Sequence, residues 1–295
     1  MALFALMDNQ VSTRVLRIKL DKKSSAMVDQ VFKDQKLHFQ AHHANIVNFH
    51  AGYSPTYDEC FVLDNFNESQ ILIDAVTRNT AIPEWDPTKI DIKFIKALFV
   101  GVESPTNNKI IAIQTFNKKQ ILDTSKSFLM GLVTAKNTFS KADNVGFNID
   151  DKITSFIDND KVFFKSFFKM RSIFDMSHYF QEATDQDVED FSNNQIFSTS
   201  QGFDLKSVSD TMIRTKITLI IQSGILDPSN IPILKLAASK IRFPLQTVVN
   251  ANIEKIVMPQ TKKEIKSLLD FLDEDIFTSE ITQKIFKSTS KRPYI

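Results

Sequence analysis

The sequence predicts an α+β fold, with a β-rich, hairpin-bearing N-terminal half and a helix-rich C-terminal half. Three observations point that way. Up to residue 165 the apolar segments are short, rich in β-branched and aromatic residues, and separated by turn-forming residues. From Ser166 onward, apolar side chains recur at three- and four-residue spacing behind residues that cap helices. The length, 295 residues, suits one large or two medium domains. The change of period divides the chain into a β-rich domain, 1–165, and a helix-rich domain, 166–295, with a basic C-terminal region.

Met1–Met7 is apolar but too short for a signal-peptide core, lacks a basic flank and meets Asp8 at once, so it is read as a first strand or a frayed terminus. Thr13–Leu20 alternates in part. Ile90–Phe99 and Lys109–Phe116 are strand-like, and Glu103–Asn108 between them is a hairpin loop. Phe128–Val133 and Val145–Ile149 add candidate strands, and Lys152–Asp158 with Lys161–Lys165 forms a hairpin around Asn159-Asp160. Ser166 caps a helix carrying Phe167, Met170 and Phe174 on one face, and Thr184 with Asp187 opens a second. Ile213, Ile217, Ile220 and Ile221 stripe a third, which ends at Gly224 in the left-handed C-terminal position with Ile225 packed back. Ser229 or Asn230 caps a shorter helix through Lys240. Thr261 and Glu264 form a capping box for the last helix, whose buried face is Ile265, Leu268, Leu269 and Leu272.

Composition narrows function mainly by exclusion. Hydrophobic residues make up 42% and 26 are Phe, ample for a core. With 6 Gly, glycine-rich phosphate loops are not expected, and a lone Cys60 forms no intrachain disulfide and fits a reducing compartment. No run approaches the roughly 18 apolar residues of a membrane-spanning helix. The sequence carries no nucleophile elbow, zinc-protease, P-loop or dinucleotide motif, so no catalytic residues and no cofactor are assigned.

Three weaker constellations remain. His38, His42, His43 and His50 crowd one segment; the i, i+4 pair His38 and His42 would suit a metal only on a helix, which the local pattern does not clearly favour, so surface or interface histidines are expected and no metal is assigned. Asp86, Asp91 and Lys93 loosely match a divalent-metal nuclease, with Asp91 and Lys93 on one face if that segment is a strand. Cys60 is expected to be a quiet, semi-buried thiol.

Net charge is +1, but it is unevenly spread. Asp175–Leu205 holds seven acids and no Lys or Arg, and Glu182, Asp185, Asp187, Glu189 and Asp190 are its candidate partner-binding residues. Bases dominate later: Lys235, Lys240, Arg242, Lys262, Lys263 and Lys266, then Lys287, Lys291 and Arg292 in a stretch, Ile281–Ile295, without acids. If several converge they would neutralise DNA phosphates without reading sequence; the alternative is scattered solubilising lysines. Asp273-Glu274-Asp275 closes the last helix at its negative end, a misfit. Either the helix ends by Leu269, or these acids have partners such as Lys291 and Arg292 folded back, which would make the tail a clasp rather than a DNA contact.

The stretch Leu268–Pro293 resembles the C-terminal signature of the KwaB-like family, which belongs to the Kiwa anti-phage defence system. Lys96–Phe99 with Ile113–Phe116, Asp160–Lys165, Ser172–Asp175, Tyr179–Asp185, Ser223–Asp227 and Ser290–Arg292 occur in the family's order, covering roughly residues 90–295. The resemblance implies an antiviral effector that binds double-stranded DNA without sequence specificity. It would act in the cytoplasm, at the inner face of the membrane, with the transmembrane Kiwa component A, and would block phage DNA replication and expression. A homodimer is the implied unit, with no recognised catalytic site. A metal-dependent nuclease of a defence system and a non-catalytic protein-interaction module are the alternatives.

Overall fold

The computed structural model describes residues 2–103, 109–122, 132–135, 138–141, 146–251 and 253–292. They fall into two compact units, Met1–Phe49 with Pro55–Asp175, and His50–Ser54 with Met176–Ile295. Strands predominate in the N-terminal half and helices in the C-terminal half, so the fold is α+β.

The first unit begins with β1 (Leu3–Met7) and β2 (Val15–Ile18), then α1 (Lys22–His42), β3 (Asn45–Asn48), β4 (Glu59–Leu63) and α2 (Ser69–Thr77). A hairpin comes next, β5 (Ile95–Glu103) and β6 (Lys109–Thr115), in register from Ala97↔Thr115 to Glu103↔Lys109; the loop between them lies outside the described residues. The segments 104–108 and 128–131 of the hairpin-loop and strand expectations are likewise outside. Two short pairs succeed it: β7 (Ile121–Leu122) with β10 (Gly146–Phe147), and β8 (Leu132–Ala135) with β9 (Thr138–Lys141). The hairpin expected around Asn159 is β11 (Ser155–Asp158) and β12 (Lys161–Phe164), with Asn159 at φ 57° in its turn. Finally α3 (Phe167–Ile173) is capped by the Ser166 hydroxyl, as expected.

These strands join in one eight-stranded sheet, ordered β2-β1-β5-β6-β11-β12-β4-β3, antiparallel except for β3 on β4. All five side chains of β1 are buried because helices cover both faces. On one face Val28, Phe32 and Phe39 of α1 meet Leu98, Val100 and Ala112. On the other, α2 comes so close that a Cβ on Gly101 would lie 2.1 Å from Val76 Cγ1. The β2 edge is bridged by backbone bonds of Arg17 to Pro83 and Trp85, whereas β3 is an edge strand of four residues.

Two expectations need correction here. Residues 22–42 form a helix of 21 residues, which the sequence pattern did not clearly favour: buried Gln35 and Lys36 interrupt its apolar stripe. Lys93 lies in a 3-10 turn, Ile92–Phe94, that Asp91 caps, not on a strand; β5 starts only at Ile95.

The second unit contains α4 (Asp185–Ser192), β13 (Phe197–Ser198), α5 (Thr211–Ser223), α6 (Ile231–Lys240), β14 (Thr247–Asn250), β15 (Ile253–Val257), α7 (Lys262–Leu272), β16 (Ile276–Thr278) and β17 (Ile285–Lys287). Its core is Val188, Phe191, Ile213, Ile217, Ile220, Leu234, Ile256, Ile265, Leu268 and Leu272 with their neighbours. Thr184 and Asp187 close a reciprocal capping box on α4, Thr261 caps α7, and Gly224 ends α5 at φ 72°. Two details differ from expectation. Ile221 points outward, 45% exposed, because it lies one residue past the Ile213–Ile217–Ile220 stripe. Asn230 precedes α6 without a side-chain cap bond; Asp227 caps the 3-10 turn before it.

Candidate functional site: a buried charge cluster and the ribbon it holds

The end of α7 is where the sequence's electrostatic misfit is resolved. The helix runs on to Leu272, and Asp273 caps it. Glu274 takes φ 55°, the left-handed position where glycine is usual, and the chain turns so that the Asp275 amide donates to the Asp270 carbonyl at 2.9 Å. That turn gathers the carboxylates of Asp270, Asp273 and Asp275 around one ammonium, Lys216 of α5, only 7% exposed. Its Nζ lies 2.5 Å from Asp275 Oδ2, 3.0 Å from Asp273 Oδ2 and 3.3 Å from Asp270 Oδ1. Asp270 Oδ1, though near the ammonium, makes no hydrogen bond among the described residues.

Two tail lysines complete the set. Lys291 Nζ donates to Asp275 Oδ1 at 2.6 Å, lies 3.2 Å from Asp273 Oδ2 and also donates to the Asp273 carbonyl; Lys287 pairs with Asp270. Three carboxylates thus face three ammonium groups, and the cluster is neutral. Neutrality matters because an unpaired buried charge costs several kcal/mol. Burial alone would lower the Lys216 pKa, but the hydrogen bonds and charges of Asp275 and Asp273 outweigh it and raise it. Burial likewise pushes the Asp275 carboxyl up, and Lys216 with Lys291 more than reverses that.

The cluster anchors the last segment of the chain. β16 and β17 form a two-stranded antiparallel ribbon, registered Ile276↔Lys287, Phe277↔Phe286 and Thr278↔Ile285. Beyond it, the Ser288 amide donates to the Asp275 carbonyl at 2.8 Å and the Lys291 amide to the Gly52 carbonyl at 3.0 Å. The tail is therefore a clasp, as one reading of the sequence had it, with Lys291 in the expected place. The Arg292 guanidinium stands 5.2 Å over the Tyr53 ring. Lys216 was missed, although its position between Ile213 and Ile217 on a buried stripe was the available signal.

Of the other bases singled out in the sequence, Lys235 pairs with Glu254 at 2.7 Å. Lys262 and Lys266 lie 3.1 and 2.7 Å from Asp210, the cap of α5. The Lys266 hydrogen bond comes first among the causes that hold the Asp210 carboxyl well below its ordinary range. Lys240, Arg242 and Lys263 are exposed and carry no ion pair among the described residues. The candidate acids are mostly engaged locally: Asp185 with Arg214 at 2.5 Å, Asp187 in its capping box, Glu189 with Lys206 at 2.9 Å, Asp190 accepting from Gln186 at 2.8 Å, and Glu182 partnered as well.

In the first unit, His38 and His42 stack on α1 with centroids 3.8 Å apart, and a ring nitrogen of His43 lies 2.8 Å from the Tyr57 carbonyl. Asp86 and Asp91 each close a local turn. Among the described residues no three His, Cys, Asp or Glu side chains are arranged to hold a metal ion. Cys60 is buried, and desolvation raises its thiol pKa against the opposing pull of Lys165.

No single described helix is long and apolar enough to cross a membrane; α5 with the Pro228–Lys240 segment would pass as a pair bent by 90°, and of its apolar residues Ile213, Ile217, Ile220, Ile231 and Leu234 are buried in the core while Ile221, Ile233 and Leu236 are exposed. Residues 92–282 match the family described as Kiwa protein KwaB-like, well over half of the chain. The chain belongs to the KwaB-like family. Membership ties it to Kiwa anti-phage defence. The matched span begins at the turn before β5 and ends within the ribbon's loop, so the Ser290–Arg292 motif lies beyond it. No curated protein and no solved structure matches this KwaB-like chain.

Proposed function

We propose that this KwaB-like chain is a cytoplasmic anti-phage effector that binds duplex DNA without reading its sequence. It acts as a homodimer at the inner face of the membrane, beside the membrane-embedded Kiwa component A, and blocks phage DNA replication and expression. The observation that supports a DNA role beyond family membership is the sorting of the basic residues. Lys235, Lys262, Lys266, Lys287 and Lys291 are held by acids of their own unit, whereas Lys240, Arg242 and Lys263 are exposed and unpaired among the described residues.

Two of the three, Arg242 and Lys263, each adjoin in sequence a residue that lines one groove. Phe243, next to Arg242, stacks on Phe271 of α7 with centroids 4.6 Å apart. The chain from Phe243 to Gln246 and the α7 residues Glu264, Ser267 and Leu268, close to Lys263, line the same groove. Such cations neutralise backbone phosphates and leave base edges unread.

Titrating labelled duplex DNA at several salt concentrations tests this reading. Replacing Lys240, Arg242 and Lys263 together by Ala should flatten the plot of log affinity against log salt by about 2.7. Lys235→Ala, which removes a base already paired, should leave the slope nearly unchanged. Binding that is absent at low salt, or indifferent to salt, overturns the proposal.

A further inference from the structure

We propose that the β16–β17 ribbon is the surface through which two copies of this chain associate. The inference deepens the homodimer reading and rests on it in that one respect. It starts from a face that the fold leaves uncovered. Phe277 and Phe286 oppose each other across the ribbon, stacked with centroids 5.9 Å apart, and are 46% and 45% exposed; at the loop Ile281 is 93% exposed. The opposite face, with Ile276 and Lys287, is tied to the charge cluster through the Lys287–Asp270 pair. The ribbon is thus tied at its base on that side, where Ile285 further along is 45% exposed, while its aromatic side stays open.

A two-stranded ribbon is marginal alone, and this one is its own sheet, with neither outer edge paired among the described residues. Large apolar side chains and two open backbone edges in one short element are a liability that a partner removes. Charge decides which partner. Around the ribbon, Lys216, Lys287 and Lys291 are offset by Asp270, Asp273 and Asp275, so neither a polyanion nor a strongly basic surface gains a net field there. What remains beside the Phe pair is one charge of each sign: Glu280, exposed in the loop, and Lys284, exposed just before β17. Strand alternation puts Lys284 on the Phe286 side. An apolar patch flanked by one acid and one base is complementary to itself. Under a two-fold axis, each copy's Glu280 meets the other's Lys284 over four packed Phe rings. The patch is small beside the ~800 Å² per partner of a standard interface, so association is expected in the micromolar range and reversible.

Sedimentation equilibrium of the full chain over a wide concentration range provides the test. Wild type should show a monomer–dimer equilibrium, and Phe277→Ser with Phe286→Ser should abolish it. Glu280→Lys and Lys284→Glu should each weaken association roughly tenfold, since each sets like charges opposite one another. Mixed in equal amounts, those two variants should recover it as a heterodimer, which also shows that each is folded. A wild-type dimer that none of these variants weakens overturns the ribbon assignment and leaves the homodimer standing. A wild type that stays monomeric overturns both. Ribbon variants that lower DNA affinity while associating like wild type assign the ribbon to nucleic acid and overturn the proposal.

Discussion

Replacing Lys216 by Met would leave three largely buried carboxylates with only the two tail lysines, one positive charge short. Removing one member of a buried ionic set costs about 3–5 kcal/mol, so Lys216→Met should lower the urea midpoint of the second unit steeply. Asp275→Asn should cost less, and its effect should depend on pH in a stated direction. The Asp275 carboxyl is held below 3.8, so its contribution is full above that value and fades as pH falls through the depressed folded value. The Lys216 ammonium is held above 10.5, so its contribution is full below that pH and fades as pH rises through the folded value. The gap in urea midpoint between wild type and Asp275→Asn should therefore be flat near neutrality and narrow in acid. Cys60, buried with its thiol pushed up, should react with a disulfide reagent only as fast as the protein unfolds. At this scale the sequence was half legible. The acids at the end of α7 announced that partners must exist and Lys291 was nameable, but Lys216 looks like any helix lysine until its neighbours Ile213 and Ile217 are known to be buried.

Elements were legible where local chemistry dictates them. The Thr184 and Thr261 caps, the Gly224 stop and the turn at Asn159 act within four residues, so the sequence displays them. Helix α1 was hidden for the opposite reason. Its inward face includes Gln35, which bonds to the distant Asp150 carbonyl at 2.8 Å and to Gln114. No window of neighbouring residues contains that information. Long-range packing also decides Gly101, which nothing in its own strand marks as special. Gly101→Ala should destabilise by about 1–3 kcal/mol through overpacking against Val76 of α2. In a double-mutant cycle read by urea denaturation, Val76→Ala should relieve most of that cost; simple additivity would refute the contact.

At the scale of the whole molecule, the two units have separate cores, one on the eight-stranded sheet and one around α5 and α7. Weakening one should leave the other's amides protected. Hydrogen exchange on Lys216→Met should quicken throughout α5, α7 and the ribbon, while β1, β5 and β6 keep their wild-type rates. Equal acceleration in both units would show that they unfold together. The α+β class was visible from periodicity, whereas the way the second unit recruits His50–Ser54 was not, because nothing in those five residues hints at it.

That recruitment has a kinetic consequence. The Ser54 amide donates to Ser290 Oγ across a separation of 236 residues, beside the Lys291–Gly52 bond. Contacts closing so long a loop form late, after local helices and hairpins. During refolding, amides of α5 and α7 should become protected before that of Lys291, as pulse-labelling would reveal. Until then the Phe277–Phe286 face has no fixed backing, so the moments before closure are when crowded chains would be most prone to aggregate.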